Sequence, residues 1–200
     1  IQKTNEIIAK TGLLKKGLMQ QLLTKGIGHK EFKDTEIGRI PKDWNVVRLH
    51  EVCEKITVGI VIKPASYYVP KGVPALRSLN IKDDRMDLQD LVFISESDNN
   101  SKLAKSRLRE GDVLVVRTGY PGTACVVPEE LEGANCIDLV IARPNREKIE
   151  SKFLSRVLNS HIGRKQCLAF QTGLAQQHFN IGAVKKILIP LPPLEEQQQV

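Results

Sequence analysis

Lys186-Ile187-Leu188-Ile189-Pro190-Leu191-Pro192-Pro193-Leu194-Glu195-Glu196-Gln197 sets the frame for the rest of the chain. An apolar run meets three prolines and then a polar, helix-favouring run. Proline cannot donate to a sheet ladder and biases the preceding residue away from the α region, but it is at home in the first turn of a helix. The stretch therefore predicts a strand that hands over to a helix. Ile1 is not an initiator methionine and the chain opens in mid-helix. The expectation is an excised piece, helical at both ends, with a domain between.

Residues 1–25 predict an amphipathic helix. Ile7, Ile8, Leu14, Leu18 and Leu22 recur at helical spacing, with Thr4 and Thr11 on much the same side and lysines on the rest. Gly26 is the expected stop. Gly12 and Gly17 each cost about 1 kcal/mol relative to alanine. A helix that keeps both is expected to pack closely against a partner helix through Ile7, Leu14, Leu18 and Leu22, without a strict heptad. The alternative is a surface helix lying on its own domain.

The chain has 200 residues, 41% apolar and 26% charged, the balance of a globular domain with an appendage. Thirty basic residues against 23 acidic give a net charge of +7, which points to an anionic partner, nucleic acid first among them. Cys53, Cys125, Cys136 and Cys167 form no C-x-x-C pair and sit among apolar neighbours. They predict free thiols in a reducing compartment rather than disulfides or a zinc site. No apolar run approaches the ~18 residues that span a bilayer. The expected location is cytoplasmic, with no membrane partner.

Residues 27–46 read as a linker punctuated by Gly28, Gly38 and Pro41, with Trp44 as an anchor at the domain rim. The body, 47–190, reads as short strands followed by a helix. Candidate strands are 73–77, 91–94, 113–117, 124–127 and 137–142, the pair 113–117 and 124–127 forming a hairpin across Pro121-Gly122. Phe153, Leu154, Val157, Leu158 and Ile162 predict a helix over 151–166, with a last strand over 184–189. Strands first and a helix later predict the α+β class. Residues 191–200 begin a second helix.

Catalytic signatures are missing. There is no phosphate loop, nucleophile elbow or H-E-x-x-H. Leu191-Pro192-Pro193-Leu194 lacks the polar residue and the aromatic of an amino-methyltransferase motif. Glu31-Phe32-Lys33 is a nuclease-like triplet without its preceding Pro-Asp, and reads as solvated linker. Recognition remains. Arg77, Asn80 and Lys82 form one polar cluster, Arg117 and Tyr120 a second, and Gln171, Gln176, Gln177, His178 and Asn180 a third. Arginine pairs bidentately with guanine, and amides offer donor and acceptor together to base edges. The competing readings are a strand exit, an arginine held by an internal carboxylate and a polar surface turn. The segment 143–165, with seven basic side chains against two acidic, is a phosphate-facing surface or a solvated face.

Several stretches, taken in order, resemble the specificity (S) subunit of type I restriction-modification systems: Leu14 to Thr24, Phe32 to Trp44, Gly111-Asp112-Val113-Leu114 with Arg117 and Gly119, and Ile189 to Gln197. The resemblance implies a target recognition domain over 47–190, the end of a coiled-coil spacer helix over 1–26 and the start of a second over 191–200. It implies double-stranded DNA as ligand, one half of a bipartite site read per domain, and methyltransferase (M) subunits docked on the helices. The restriction (R) subunit joins through the complex. A second recognition domain or a second copy pairs through the helices. It implies no catalytic residue, metal or cofactor in this chain, since methyl donor and nucleotide belong to partner subunits. Two other readings stand beside it: the recognition domain of a fused restriction-methylation enzyme, and a protein-interaction scaffold without DNA binding.

Overall fold

The computed structural model describes residues 2–170 and 179–200. Helix α1 (Gln2–Lys25) leads into strands β1 (Phe32–Thr35), β2 (Gly38–Pro41), β3 (Asn45–Arg48) and β4 (Cys53–Val58). Strands β5 (Tyr68–Val69), β6 (Val73–Leu76), β7 (Ile81–Lys82), β8 (Arg85–Met86) and β9 (Val92–Ile94) precede a short helix α2 (Glu96–Asn100). Then come β10 (Val113–Val116), β11 (Ala124–Val126), β12 (Asn135–Cys136) and β13 (Leu139–Pro144). Helices α3 (Ser151–Asn159), α4 (His161–Ala169) and α5 (Ile181–Lys185), strand β14 (Leu188–Leu191) and helix α6 (Leu194–Gln199) complete an α+β fold.

The central antiparallel sheet runs β11-β10-β13-β4. Side chains on a strand alternate between faces, and here both faces are covered. Val113 and Val115 join Val140 and Ala142 against Phe153, Leu154, Val157 and Leu158 of α3. Leu114 and Val116 join Leu139, Ile141 and Leu76 on the other side. That is why β10 is an unbroken apolar run rather than an alternating one. Each large side chain so buried stabilises the fold by about 1.5–3 kcal/mol. A second sheet, β12-β6-β9-β5, packs a smaller core of Ile60, Ala75, Ile94, Leu103 and Ile137.

Three expectations change. Residues 27–46 are not a bare linker: β1 and β2 form a hairpin with Thr35 opposite Gly38, and β3 pairs with β14. The strand expected over 184–189 is α5 followed by β14, because the Asn180 side chain accepts from the Ala183 amide and caps a helical turn. The helix expected over 151–166 is two helices, broken at Ser160, whose hydroxyl accepts from the Ile162 amide. Gly163 permits that corner, since a Cβ there would lie 2.3 Å from the Leu158 carbonyl oxygen.

The motif at the end of the chain is a double latch. Glu196, only 14% exposed, accepts from the Ile27 amide (3.0 Å), from Trp44 Nε1 (3.0 Å) and from His29 Nε2 (2.9 Å). Trp44 is fully buried. Gly26 closes α1 in the left-handed region (φ 61°), and a Cβ there would sit 2.5 Å from Glu196 Oε1. Gln197, also buried, accepts from the Glu150 amide (2.8 Å) and donates to the carbonyls of Lys148 (3.1 Å) and Pro192 (2.9 Å). One end of the chain is thus tied to the end of α1 and to the start of α3.

All four cysteines are free, and three are buried. Burial pushes the thiols of Cys53 and Cys125 up to about 12 and that of Cys167 up to about 11, and it raises Cys136 as well. The thiolate is the reactive form, so at pH 8 less than about one part in a hundred of each is ionised. Iodoacetamide at pH 8 is expected to leave the native protein unlabelled and to modify all four once it is unfolded, read by intact mass. Rapid native-state labelling would contradict the packing described. Among the described residues no helix is long and apolar enough to cross a membrane.

Candidate nucleic-acid interface

Between α1 and the body lies an open groove of about 1140 Å³. One bank is α1, through Gly12, Lys15, Met19 and Gln20. The other is built from the 78–85 segment, the turn after β10 and the corner between α3 and α4. Four cations on these banks, Lys15, Lys82, Arg85 and Arg156, have no ion pair or side-chain hydrogen bond among the described residues. The two acids present are already engaged. Asp83 pairs with Arg164. Asp84 accepts from Ser155 Oγ (2.6 Å) and Asn159 Nδ2 (2.9 Å). Asp84 has only neutral donors and keeps its charge, so the groove, with Arg164 counted, carries a net charge of +3.

Tyr120 stands at the rim, 84% exposed. Its backbone is fixed although its ring is free. The Tyr120 carbonyl accepts from the Thr123 amide (3.2 Å) and hydroxyl (2.8 Å), and the Gly122 amide donates to Val116 (3.0 Å). Arg164 braces the same turn through Thr123 Oγ1 (2.9 Å). A rigid turn presenting an aromatic beside free cations suits a ligand with both phosphates and flat bases.

The pattern described as the Type I restriction modification DNA specificity domain matches residues 41–200. The chain belongs to this family. It is 32% identical over 204 residues to the type I restriction enzyme MjaVIII specificity subunit of Methanocaldococcus jannaschii, a match over 99% of this chain and 47% of that protein. It is 25% identical over 164 residues to the EcoBI specificity subunit of Escherichia coli, over 80% and 34%. The solved HsdS subunit of Thermoanaerobacter tengcongensis shares the fold, with a TM-score of 0.61 and 22% identity over 99% of this chain and 44% of that one. The chain spans less than half the length of these relatives.

Of the residues expected to touch DNA, this specificity domain brings Lys82 and Tyr120 together at the groove. Others turn inward. Asn80 is wholly buried: its Oδ1 accepts from the Arg77 amide (2.8 Å) and its Nδ2 donates to the carbonyls of Asp87 (2.9 Å) and Gln89 (2.8 Å). It clamps a loop and has no amide atom left for a base. Arg77 donates from Nη2 to the Asp90 carbonyl (2.5 Å) in the same loop. Arg117 donates from Nη1 to Asp138 (2.5 Å) and from Nε to the Phe179 carbonyl (3.1 Å). Its guanidinium is committed to an internal carboxylate, the competing reading of that cluster. Asn180 is exposed but serves as the cap of α5. Gln171, Gln176, Gln177 and His178 lie outside the described residues.

The basic segment 143–165 divides in the same way. Arg143 grips the buried Asp112 through two 2.8 Å bonds and Arg146 pairs with Glu110 (2.6 Å), while Arg156 and His161 line the groove. On α1, Ile7 (64%), Leu14 (63%) and Leu18 (50%) are exposed. Leu22 instead packs on this domain's own core beside Met19 and the buried Leu23. Lys15 and Arg85 are groove residues that residue type did not single out. The helical row Gly12, Lys15, Met19 and Leu23 was the available signal.

Proposed function

We propose that this domain binds double-stranded DNA sequence-specifically and, without catalysing a reaction itself, directs the methyltransferase and restriction subunits of a type I complex to one half of a bipartite site. The observation that carries this reading is the groove: four cations without an ion pair among the described residues and a rigidly mounted, exposed tyrosine, on a domain of the DNA-specificity family. Phosphate contacts through Lys15, Lys82, Arg85 and Arg156 position the domain, and rim side chains reach base edges. Methyl donor and nucleotide are held by the partner subunits, and the exposed Ile7, Leu14 and Leu18 row pairs with a second helix.

Fluorescence anisotropy with duplex DNA across a salt series tests this. Four neutralised phosphates predict a slope of log affinity against log salt of about −3 to −4. Tyr120→Ala is expected to weaken cognate binding roughly tenfold, the scale of one good base contact. Stability should shift by less than about 0.5 kcal/mol, as for an exposed surface site. Binding that ignores salt, or no binding by the full-length protein, would refute the proposal.

A further inference from the structure

The groove has a bank that belongs to no recognition loop. Gly12, Lys15 and Met19 of α1 line it, and Met19 and Leu23, further along the same helical row, pack into the domain core. That packing fixes the rotation of α1, so the row carrying Lys15 faces the body. The row of Ile7, Leu14 and Leu18 lies roughly a third of a turn away at 100° per residue. A helix paired on those exposed apolar residues clears Gly12 and Met19 and has Lys15 at its flank, about 60° from Leu18. At Gly12 a Cβ would have nothing within 4 Å, so the helix backbone itself is accessible there. Lys15 has no carboxylate partner among the described residues.

We infer that α1 is a DNA-contacting element in its own right. The sugar–phosphate backbone of one strand lies in the groove between helix and domain, with Lys15 on one bank and Lys82, Arg85 and Arg156 on the other. The inference rests on the DNA reading above. The chemistry recognised is a row of phosphodiesters. The groove, at about 1140 Å³, exceeds the ~300–1,000 Å³ of an ordinary small-molecule site and is cationic on both banks. Contacts of this kind carry no base information, so the helix contributes affinity and register to every sequence equally.

Duplex binding by the full-length protein, measured against salt for Lys15→Gln and Gly12→Lys, tests the inference. Lys15→Gln is expected to weaken cognate and random duplexes alike by about five- to tenfold and to flatten the log–log slope by about 0.9. Gly12→Lys, which adds a cation in open space, is expected to steepen it by about 0.9. Thermal melts run in parallel confirm that both variants fold. Unchanged slopes in both variants, against a steep wild-type slope, overturn the inference and leave the proposed function standing. A wild-type protein with no salt-dependent binding overturns both. Saturable displacement of DNA by inorganic phosphate at matched ionic strength identifies a small-anion site instead. Loss of methyltransferase-subunit binding with DNA affinity intact identifies a protein-docking face. Either result overturns the inference.

Discussion

Glu196→Ala is expected to destabilise the domain by about 4 kcal/mol. The carboxylate accepts from the Ile27 amide, Trp44 Nε1 and His29 Nε2, at 2.9–3.0 Å and largely out of water. Hydrogen bonds to a charged group contribute about 1.5–3 kcal/mol each, less than additively, and the donors left behind keep their desolvation cost. For a domain of this size the melting temperature should fall by roughly 8–16 °C. Glu196→Gln keeps an acceptor and should lose less, and His29→Ala, which removes one donor only, less again. A circular-dichroism melt of Glu196→Ala within about 2 °C of wild type would show that the latch is not built as described.

Asp112→Ala is the second large effect, at about 2–4 kcal/mol, below the full cost of a wholly buried pair because Arg143 is only partly buried. Asp112 is 1% exposed and receives both Nε and Nη2 of Arg143 at 2.8 Å, together with the Arg109 amide at 2.8 Å. Contact with Asp112 holds the Arg143 guanidinium above its already high ordinary value, so it stays charged at any working pH. Removing Asp112 leaves the partly buried Arg143 guanidinium and the Arg109 amide without their acceptor. Asp112→Asn retains the shape and some hydrogen bonding and should cost less. The urea midpoint at constant m-value reads the difference. Equal midpoints for the alanine variant and wild type would contradict the role.

The elements legible from sequence were those that local chemistry specifies. Val113 to Val116 and Ala124 to Val126 are β-branched or small apolar runs on either side of a glycine turn, and they pair as expected. The proline-rich junction does end a strand and start a helix, but the strand runs through Pro190 to Leu191 and the helix starts at Leu194 rather than 191. The hairpin over 32–41 was not legible, because Lys33, Asp34 and Arg39 carry no apolar alternation and the pairing is set by the turn. The segment 184–189 was misread because Val184, Ile187 and Ile189 fit either period, and the residue that decides the matter, Asn180, looked like a reader of bases rather than a cap. The site divided along the same line. Asn80 and Arg117 have the residue types that recognise bases, but a buried clamp and an exposed reader are spelt alike. Lys15 entered only because tertiary packing of Met19 and Leu23 rotates it towards the groove.

The Glu196 latch has an architectural consequence. It places the departure of one helix and the arrival of the other side by side at a single carboxylate. The body between them is thus entered and left through the same doorway. Glu196, Trp44 and Gly26 close that entrance together, so the position of the body on α1 is set by contacts remote from the groove.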